Sequence, residues 1–271
     1  MVEQNSEAGP LLAAMRQKWE NLKEKELELY PPRCRRDTRC REAVETFEAG
    51  EESSESQAPE TPILCGRIRS KRVHGKASFA HLEDGSGQIQ VYLRQDVVGK
   101  DQYKLFKKLD VGDFIEVTGE MMRTRKGEVT LSVTSFKLIS KVLRPLPEKW
   151  HGLQDKEIRY RKRYLDLIVN TEVKKVFIKR ARALDTARDF FRNRDFIEVE
   201  TPMLQVCPGG AIARPFKTFH NALGIDMYMR IAPELCLKEL VIGGLERVFE
   251  VGKVFRNEGI SAVHNPEFTI I

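Results

Sequence analysis

From Thr61 to about Ile139 the sequence alternates apolar and polar residues, and turn residues interrupt the alternation. A period of two is typical of half-buried β-strands. It predicts strands at Ile63 to Val73, Ala77 to Leu82, Gln88 to Arg94, Phe114 to Gly119 and Val129 to Leu138, with one short helix at Gln102 to Leu109. A helix between the third and fourth of these strands predicts an OB-fold barrel, a fold whose open face binds single-stranded nucleic acid.

The first predicted hairpin is rich in basic residues, namely Arg67, Arg69, Lys71, Arg72 and Lys76. Phe79 follows in the second strand, where its ring can stack on an unpaired base, and Gln90 and Glu128 can hydrogen-bond a base edge. Taken alone, Phe79 favours a core position. The basic hairpin beside it shifts the prediction toward base stacking.

The segments around the barrel divide the chain into three parts, residues 1–60, 61–147 and 148–271. An amphipathic helix is predicted from Pro10 to Tyr30, and the acidic, serine-rich residues 48–60 predict a solvated linker. The prolines of residues 143–147 predict a stiff linker. Residues 151–170 predict a helix whose basic residues form either a salt-bridged face or a contact with RNA backbone, namely Arg159, Arg161, Lys162 and Arg163.

Composition sets the outer limits of what the chain can be. Its 271 residues are 41% apolar and 32% charged, enough for a buried core and about two domains. The net charge of +6 fits either a polyanionic partner or an ordinary basic protein. No membrane-length apolar run and no signal peptide occur, so we expect a cytoplasmic protein. The five cysteines include no Cys-x-x-Cys pair, and neither a metal site nor a P-loop is predicted.

Residues 255–268 combine an arginine, a carboxylate, a histidine and an aromatic ring on two short apolar runs. Arg256 can bridge a phosphate and a carboxylate and neutralise charge between them. Glu258, predicted on the same strand face, can accept from an exocyclic amine. His264 can contact a second phosphate, and Phe268 can stack on a purine. Each residue alone is common on a protein surface, but the ordered set predicts an ATP-holding hairpin.

Two αβ segments precede this hairpin. A helix is predicted from Glu172 to about Arg194, burying Val173, Phe177, Ala181, Leu184 and Phe191 or their neighbours, and a strand from Ile197 to Pro202 follows it. Paired glycines in the loop 208–211 either form a tight turn or let the backbone approach a ligand. Pro233 predicts a helix start, with Glu234 in the first turn.

The string FRNEGISAVHNPEFT resembles motif 2 of the class II aminoacyl-tRNA synthetases. The strings TPMLQVCPGGAIARPFKTFHNAL and RIAPEL resemble the lysine-specific group of that class, and residues 75–92 resemble its anticodon-binding barrel. The resemblance covers nearly the whole chain from Pro10 onward. It implies a multidomain α+β protein, in which an N-terminal OB-fold barrel precedes the first part of an antiparallel-sheet catalytic domain.

The resemblance also implies an activity, the ATP-dependent ligation of lysine to tRNA(Lys) through a lysyl-adenylate. Arg256 would be the catalytic residue, and the strand ending at Pro202 would form a homodimer interface. ATP would contact Arg256, Glu258, His264, Asn265 and Phe268, and lysine would contact Gly210, Glu234 and Arg256. The tRNA anticodon would contact Arg72, Phe79, Gln90 and Glu128.

Some family features are not found before Ile271, namely the glycine-rich motif 3 and the glutamates that hold Mg²⁺. We therefore expect a truncated chain that is inactive alone and exposes an apolar edge at residues 267–271. Mg²⁺ is expected in the full-length enzyme, with its ligands outside this chain. Two alternatives stay open. One is an RNA-binding OB-fold protein with a degenerate catalytic domain. The other is a lysyl-transferring enzyme that modifies a translation factor, against which the barrel argues.

Overall fold

The structure is a computed structural model that describes residues 8–52, 61–147, 153–261 and 263–271. The chain forms two compact units, one reaching Val169 and the other running from Asn170 to Ile271. The domain limits at residues 60 and 147 remain predictions from the sequence.

The first unit contains the predicted OB-fold barrel. Its strands are β1 (Ile63–His74), β2 (Ala77–Glu83), β3 (Gln88–Arg94), β4 (Phe114–Arg123) and β5 (Val129–Ser140). They close in the order β1-β2-β3-β5-β4, and only the β3–β5 pair is parallel. The predicted strand ends are correct at β3 but too early at β4, which continues past Gly119. The register shifts between Thr118 and Gly119, so this glycine marks a bulge and not a strand end.

Alternation along the strands places one face of each in the barrel core. The innermost side chains include Leu64, Ile68, Leu82, Val91, Leu93, Ile115, Val117, Leu131 and Val133. Residues of the opposite parity on β2 and β3 are half-buried and point away from the core, as expected when successive side chains alternate between faces. These outward residues include Phe79, His81, Gln90 and Tyr92, so Phe79 is not a core residue.

Six helices accompany the barrel among the described residues of this unit: α1 (Ala8–Lys23), α2 (Cys40–Glu52), α3 (Gln95–Val98), α4 (Lys100–Lys108), α5 (Lys156–Arg161) and α6 (Arg163–Val169). The prediction that the first helix reaches Tyr30 is wrong, because Glu26 adopts a left-handed φ of 54° that ends a helix. Lys18 attaches α1 to the loop that precedes β4, since its Nζ lies 2.5 Å from Asp110 Oδ1.

Two further helix predictions need correction. Residues 48–52 belong to α2 and are not linker, while residues 53–60 lie outside the described residues. The single helix predicted for residues 151–170 is two helices, because Lys162 leaves the helical conformation at φ −116° and ψ 54°. Residues 151 and 152 lie outside the described residues. Here the salt-bridged interpretation is confirmed, since the arginines of this segment pair with Glu157 and with the buried Asp166.

The second unit begins with α7 (Thr171–Arg192) and contains α8 (Glu234–Ile242). Its strands are β6 (Ile197–Glu198), β7 (Leu204–Gln205), β8 (Lys217–His220), β9 (Ile225–Met229), β10 (Val248–Phe249), β11 (Gly252–Phe255) and β12 (Glu267–Ile270). Strands β7, β9 and β8 form an antiparallel sheet, β11 pairs antiparallel with β12, and β10 pairs parallel with β6.

The burial predicted for the long helix is wrong at two positions. Phe177 and Ala181 are exposed, whereas Phe191 packs with its ring centroid 4.8 Å from that of Phe249. Phe191, near the C-terminal end of α7, also meets Phe196. Helix periodicity identifies the apolar side of α7 but not how much of it another element covers.

Candidate functional sites

A groove of about 630 Å³ lies on the outer face of the barrel, between β1–β3 and the turn that joins β4 to β5. All four residues predicted to contact the anticodon line this groove, namely Arg72, Phe79, Gln90 and Glu128. Cross-strand pairing brings them together, because Arg72 pairs with Phe79 across β1 and β2. Their predicted meeting on one surface is confirmed; their role in RNA binding stays a prediction.

A second aromatic ring extends the predicted stacking surface. Tyr92 is the cross-strand partner of Phe79, and the two rings stack with centroids 4.5 Å apart and planes at 24°. Tyr92 was not predicted from the sequence, although its parity in β3 matches that of Gln90 and places it on the same face. Two adjacent, half-buried rings offer more apolar surface to unpaired bases than Phe79 alone.

Glu128 contacts two side chains within the groove. Gln90 Nε2 donates to Glu128 Oε2 at 2.7 Å, and His81 Nε2 lies 2.9 Å from Glu128 Oε1. Ser70 Oγ lies 2.8 Å from Nδ1 of the same imidazole, and Thr130 Oγ1 donates to Gln90 Oε1 at 2.9 Å. His81, Ser70 and Thr130 were not identified from the sequence, because each residue type is common on a solvated strand face.

Three of the five basic residues in the first hairpin stabilise the barrel. Arg67 lies 4.3 Å from the centroid of the Phe114 ring, and Arg69 Nε lies 2.9 Å from Glu83 Oε2. Lys71 donates from Nζ to the carbonyls of Phe106, Lys107 and Leu109 at the end of α4. Burial lowers the pKa of Lys71 to about 8. These three side chains therefore make contacts within the barrel, and the exposed basic residues of this hairpin are Arg72 and Lys76.

The β4–β5 turn carries further positive charge toward the groove. Arg123, Arg125 and Lys126 line it, and Arg123 Nη1 donates to Gly127 O at 2.7 Å. The same guanidinium forms an ion pair with Glu51 of α2. Glu128 N donates to Thr124 Oγ1 at 3.1 Å, which fixes the turn just before Glu128. A helix that sequence analysis did not predict thus supports the turn that positions Glu128.

In the second unit, the predicted hairpin is confirmed as β11 and β12, with Val254 opposite Phe268. Arg256 follows the last residue of β11, and its Cζ lies 5.2 Å from the Phe268 ring centroid. Arg256 Nε is buried and has no hydrogen-bond partner among the described residues. A buried donor without a partner is costly in a protein interior. The guanidinium is therefore placed to bind an anionic ligand.

Other predicted residues of this hairpin lie apart from the strands. Glu258 does not share a strand face with Arg256, because β11 ends at Phe255 and the chain turns. Its Oε1 instead accepts from Arg214 N at 3.3 Å. His264 and Asn265 are exposed, and His264 Nδ1 lies 2.8 Å from Ser261 Oγ. The hairpin brings Arg256 and Phe268 together and leaves His264 and Asn265 on its solvent side.

The two residues predicted to hold an amino group, Gly210 and Glu234, are in contact. Gly210 has φ +85°, and a Cβ built there would lie 3.0 Å from Glu234 Cβ and 3.2 Å from Ala232 Cβ. The positive φ fits the tight turn considered for this loop, and the close packing leaves no room for a side chain at this position. Glu234 begins α8, and its Oε1 accepts from Lys238 Nζ at 2.7 Å. An ammonium group therefore already occupies this carboxylate.

A buried ion pair supports the segment before Arg256. The side chains of Arg230 and Glu250 are 1% and 3% exposed, and Arg230 Nη1 lies 2.5 Å from Glu250 Oε1. Arg230 also donates to Lys253 O at 2.7 Å and to Thr201 Oγ1 at 2.9 Å. No role was predicted for Arg230 from the sequence, although a charged residue within the apolar run MYMRIAP is a usable signal.

Within the described ranges, no group of three or more histidine, cysteine or acidic side chains can hold a metal ion. All five cysteines are free thiols, and burial raises the pKa of both Cys40 and Cys65 to about 12. Among the residues that the structure describes, no helix is long and apolar enough to span a membrane.

Comparison with known proteins finds a family match in each of two parts of the chain. Residues 155–271 match the family described as tRNA synthetases class II (D, K and N), and residues 63–139 match the OB-fold nucleic acid binding domain. The lysine–tRNA ligase of Pelotomaculum thermopropionicum is 52% identical over 96% of this chain and 50% of that protein. The Bacillus subtilis ligase is 49% identical over 98% of the chain and 54% of its own length. The chain thus spans about half the length of the curated relatives it matches.

Proposed function

Because the chain belongs to the class II aminoacyl-tRNA synthetases, and to the group with lysine–tRNA ligases among its members, we propose that the protein ligates lysine to tRNA(Lys) with ATP. The observation that carries the proposal is the Arg256 guanidinium, which lies beside the Phe268 ring and whose buried Nε has no hydrogen-bond partner among the residues that the structure describes. This arrangement suits a reaction in which negative charge must be held between two anionic reactants.

The proposed reaction proceeds through lysyl-adenylate. The lysine carboxylate attacks the α-phosphate of ATP, and pyrophosphate leaves. Arg256 is the proposed catalytic residue, since a planar guanidinium can contact the carboxylate and the phosphate at once. No side-chain base is needed, because the lysine carboxylate is itself the nucleophile. The rate enhancement then comes from alignment and from stabilising charge on the phosphate oxygens.

The substrate contacts follow from the same site. Glu234 and Gly210 hold the α-amino group of lysine, and the Lys238 ammonium gives way to it. Phe268 stacks on adenine, either with the ring face that points away from Arg256 or with the face that Arg256 covers, once the guanidinium has moved onto a phosphate. Glu258, His264 and Asn265 remain proposed ATP contacts. Glu258 Oε1 accepts from Arg214 N, His264 Nδ1 lies beside Ser261 Oγ, and Asn265 is exposed.

The barrel groove is the proposed binding site for the tRNA anticodon. Phe79 and Tyr92 supply stacking surface, Arg72 supplies positive charge, and Gln90 and Glu128 supply hydrogen-bonding groups for base edges. A basic net charge of +6 favours association with tRNA.

Three further features belong to the proposal. We expect a homodimer through the segment that ends at Pro202, and a cytoplasmic location. Mg²⁺ would neutralise the phosphates of ATP, but the described residues contain no carboxylate cluster that fits it. No reaction step is therefore assigned to a metal ligand of this chain.

Lysine-dependent ATP–pyrophosphate exchange by the full-length protein tests the adenylate step. We expect exchange in the wild type and a loss of about 10²- to 10³-fold in Arg256→Lys, which keeps the charge but not the planar fork. Lys253→Arg, an exposed change on the same strand, is the control. A wild-type protein that binds tRNA without any exchange would instead support the alternative of an RNA-binding protein.

Binding of tRNA(Lys) tests the proposed anticodon site. We expect Phe79→Ala to weaken binding roughly 5- to 150-fold, because a stacked base contributes about 1–3 kcal/mol. Phe219→Ala, which removes an exposed ring from the other unit, should leave the affinity unchanged. Equal affinities for wild type and Phe79→Ala would contradict the proposed site.

A further inference from the structure

We propose that Cys34 and Cys65 form a reactive dithiol, in which the exposed Cys34 exchanges with a small anionic disulfide and Cys65 then closes a disulfide bond to Cys34. Three features of the first unit support this assignment, namely the chain segment that holds Cys34 on the barrel, the difference in exposure between the two thiols, and the arginines beside Cys34. None of these features depends on the proposed ligase function, so the two proposals can fail separately.

Cys65 and Glu116 lie on the outer face of the barrel and are nevertheless covered. They are cross-strand partners on β1 and β4, and alternation in β1 turns Cys65 away from the core-facing Leu64. Even so, Glu116 is only 7% exposed and Cys65 is half-buried. A chain segment outside the barrel therefore covers this part of both strands.

That segment contains Cys34. The next residue, Arg35, donates from its backbone N to Glu116 Oε2 at 2.6 Å. Asp37 Oδ1 accepts from Ile63 N at 2.8 Å, and Asp37 N donates to Ile63 O at 3.3 Å. The chain that follows Cys34 is thus attached to both strands by its backbone and by a carboxylate.

The two thiols are neighbours that differ in their access to solvent. Cys34 is exposed and Cys65 is half-buried, so a reagent in solution meets Cys34 first. Burial raises the pKa of Cys65 to about 12, and the charge of Cys34 and a hydrogen bond with its side chain raise it further toward that value. Once Cys34 has become part of a disulfide, its charge and its hydrogen no longer oppose the ionisation of Cys65. The first exchange therefore makes the second thiol more reactive.

Positive charge beside Cys34 favours a reagent that carries negative charge. Arg33, Arg35 and Arg36 are exposed, and the side chain of Arg35 keeps 85% of its surface in solvent. A cluster of like charges raises the local concentration of counter-ions and lowers that of cations. The same guanidinium groups also stabilise the negative charge that passes between sulfur atoms during exchange.

The exchange needs no oxidant other than the small disulfide. The Cys34 thiolate attacks one sulfur of the reagent, a bond forms between the two sulfurs, and the other half of the reagent leaves as a thiolate that takes up a proton. Cys65 then loses its proton and attacks the Cys34 sulfur, which releases the second half as a thiol. Two protein thiols are oxidised, and one small disulfide is reduced to two thiols.

The test treats the reduced chain of 271 residues with glutathione disulfide and maps the products by peptide mass spectrometry after the remaining thiols are blocked. We expect a peptide pair joined through Cys34 and Cys65. Cys207, an exposed thiol of the second unit, is the internal control and should carry only the mixed disulfide. A lasting mixed disulfide on Cys34, or a bond from Cys65 to Cys40 instead, overturns the proposal.

Two variants separate the roles of the thiols. In Cys65→Ser the mixed disulfide on Cys34 should persist, and in Cys34→Ser the reagent should leave Cys65 unmodified. Modification of Cys65 at an undiminished rate in Cys34→Ser would overturn the order of attack. The map of the wild type decides the pairing even if a variant does not fold.

Comparison with cystamine, a cationic disulfide, tests the role of the arginines. We expect the ratio of the glutathione disulfide rate to the cystamine rate to be about tenfold higher at Cys34 than at Cys207 at low ionic strength, and the difference to vanish in about 1 M NaCl. Equal ratios at the two cysteines at low ionic strength would overturn the assignment of an anionic reagent.

Discussion

Replacing Glu250 by glutamine tests the buried ion pair that precedes Arg256. The change removes a charge but keeps the size of the side chain, and leaves the Arg230 cation in a site where it is 1% exposed. Loss of one partner from a buried pair costs about 3–5 kcal/mol. Arg230 retains acceptors at Lys253 O, Thr201 O and Thr201 Oγ1. We therefore expect the variant to lose unfolding free energy at the lower end of this range, about 3 kcal/mol.

The control is an ion pair of the same unit that differs in exposure. Lys217 and Asp226 are 57% and 50% exposed with Nζ and Oδ2 2.6 Å apart. Asp226→Asn removes one charge by the same chemical change, and an exposed pair contributes only about 0–1 kcal/mol. Because the two contact distances are nearly equal, the difference between the two losses of unfolding free energy reports the effect of burial.

Because the chain has two compact units, a global unfolding signal would mix them. Amide hydrogen exchange of peptides from β11, followed by mass spectrometry at increasing urea, reports the free energy of opening for this unit alone. A loss of less than about 1 kcal/mol in Glu250→Gln, equal to that of Asp226→Asn, would refute the argument from burial.

Two other predictions use the same protein. At pH 8 iodoacetamide should alkylate the exposed Cys34 and Cys207 before Cys40 and Cys65. The pKa of about 12 leaves only about 10⁻⁴ of the Cys40 and Cys65 thiols as thiolate, so their alkylation rates should rise about tenfold per pH unit. Peptide mass spectrometry measures these rates, with the urea-unfolded protein as the control. Gly210→Ala should weaken lysine binding in the full-length protein, measured calorimetrically, because it adds left-handed strain of about 1–2 kcal/mol and crowds Glu234. Gly224→Ala, also at positive φ but with no neighbour within 4 Å, should leave lysine affinity unchanged.

The barrel could be predicted because its signals are local. A strand bounded by turn residues, such as β3, has correct ends in the prediction, since alternation and turns both lie within a few residues. The extension of β4 past Gly119 was missed, because glycine also ends strands and only the partner strand shows a bulge. The early end of α1 at Lys23 depends on one residue, Glu26, that adopts a left-handed conformation against its own preference.

The sites were harder to predict, because position in a strand does not show which partner a side chain finds. Arg72 and Lys71 are adjacent and equally basic, yet one lines the groove and the other caps α4. Because successive residues of a strand point to opposite faces, Lys71 and Arg72 must lie on different sides of β1. The same rule would have placed Tyr92 among the groove residues. The pairing of Arg230 with Glu250 joins two segments distant in sequence and has no local signal.

The backbone before and after Arg256 explains why a buried ion pair lies so close to the proposed catalytic residue. Three consecutive amides donate to three different segments, Phe255 N to Arg230 O, Arg256 N to Pro266 O and Asn257 N to Arg214 O. The Arg256 backbone is thus fixed from three sides, while its side-chain Nε has no partner among the described residues. A guanidinium on a fixed backbone needs little reorganisation when charge develops beside it, which is the condition for efficient electrostatic catalysis. Loss of the Arg230 anchor would therefore reduce the rate of the chemical step more than the binding of either substrate.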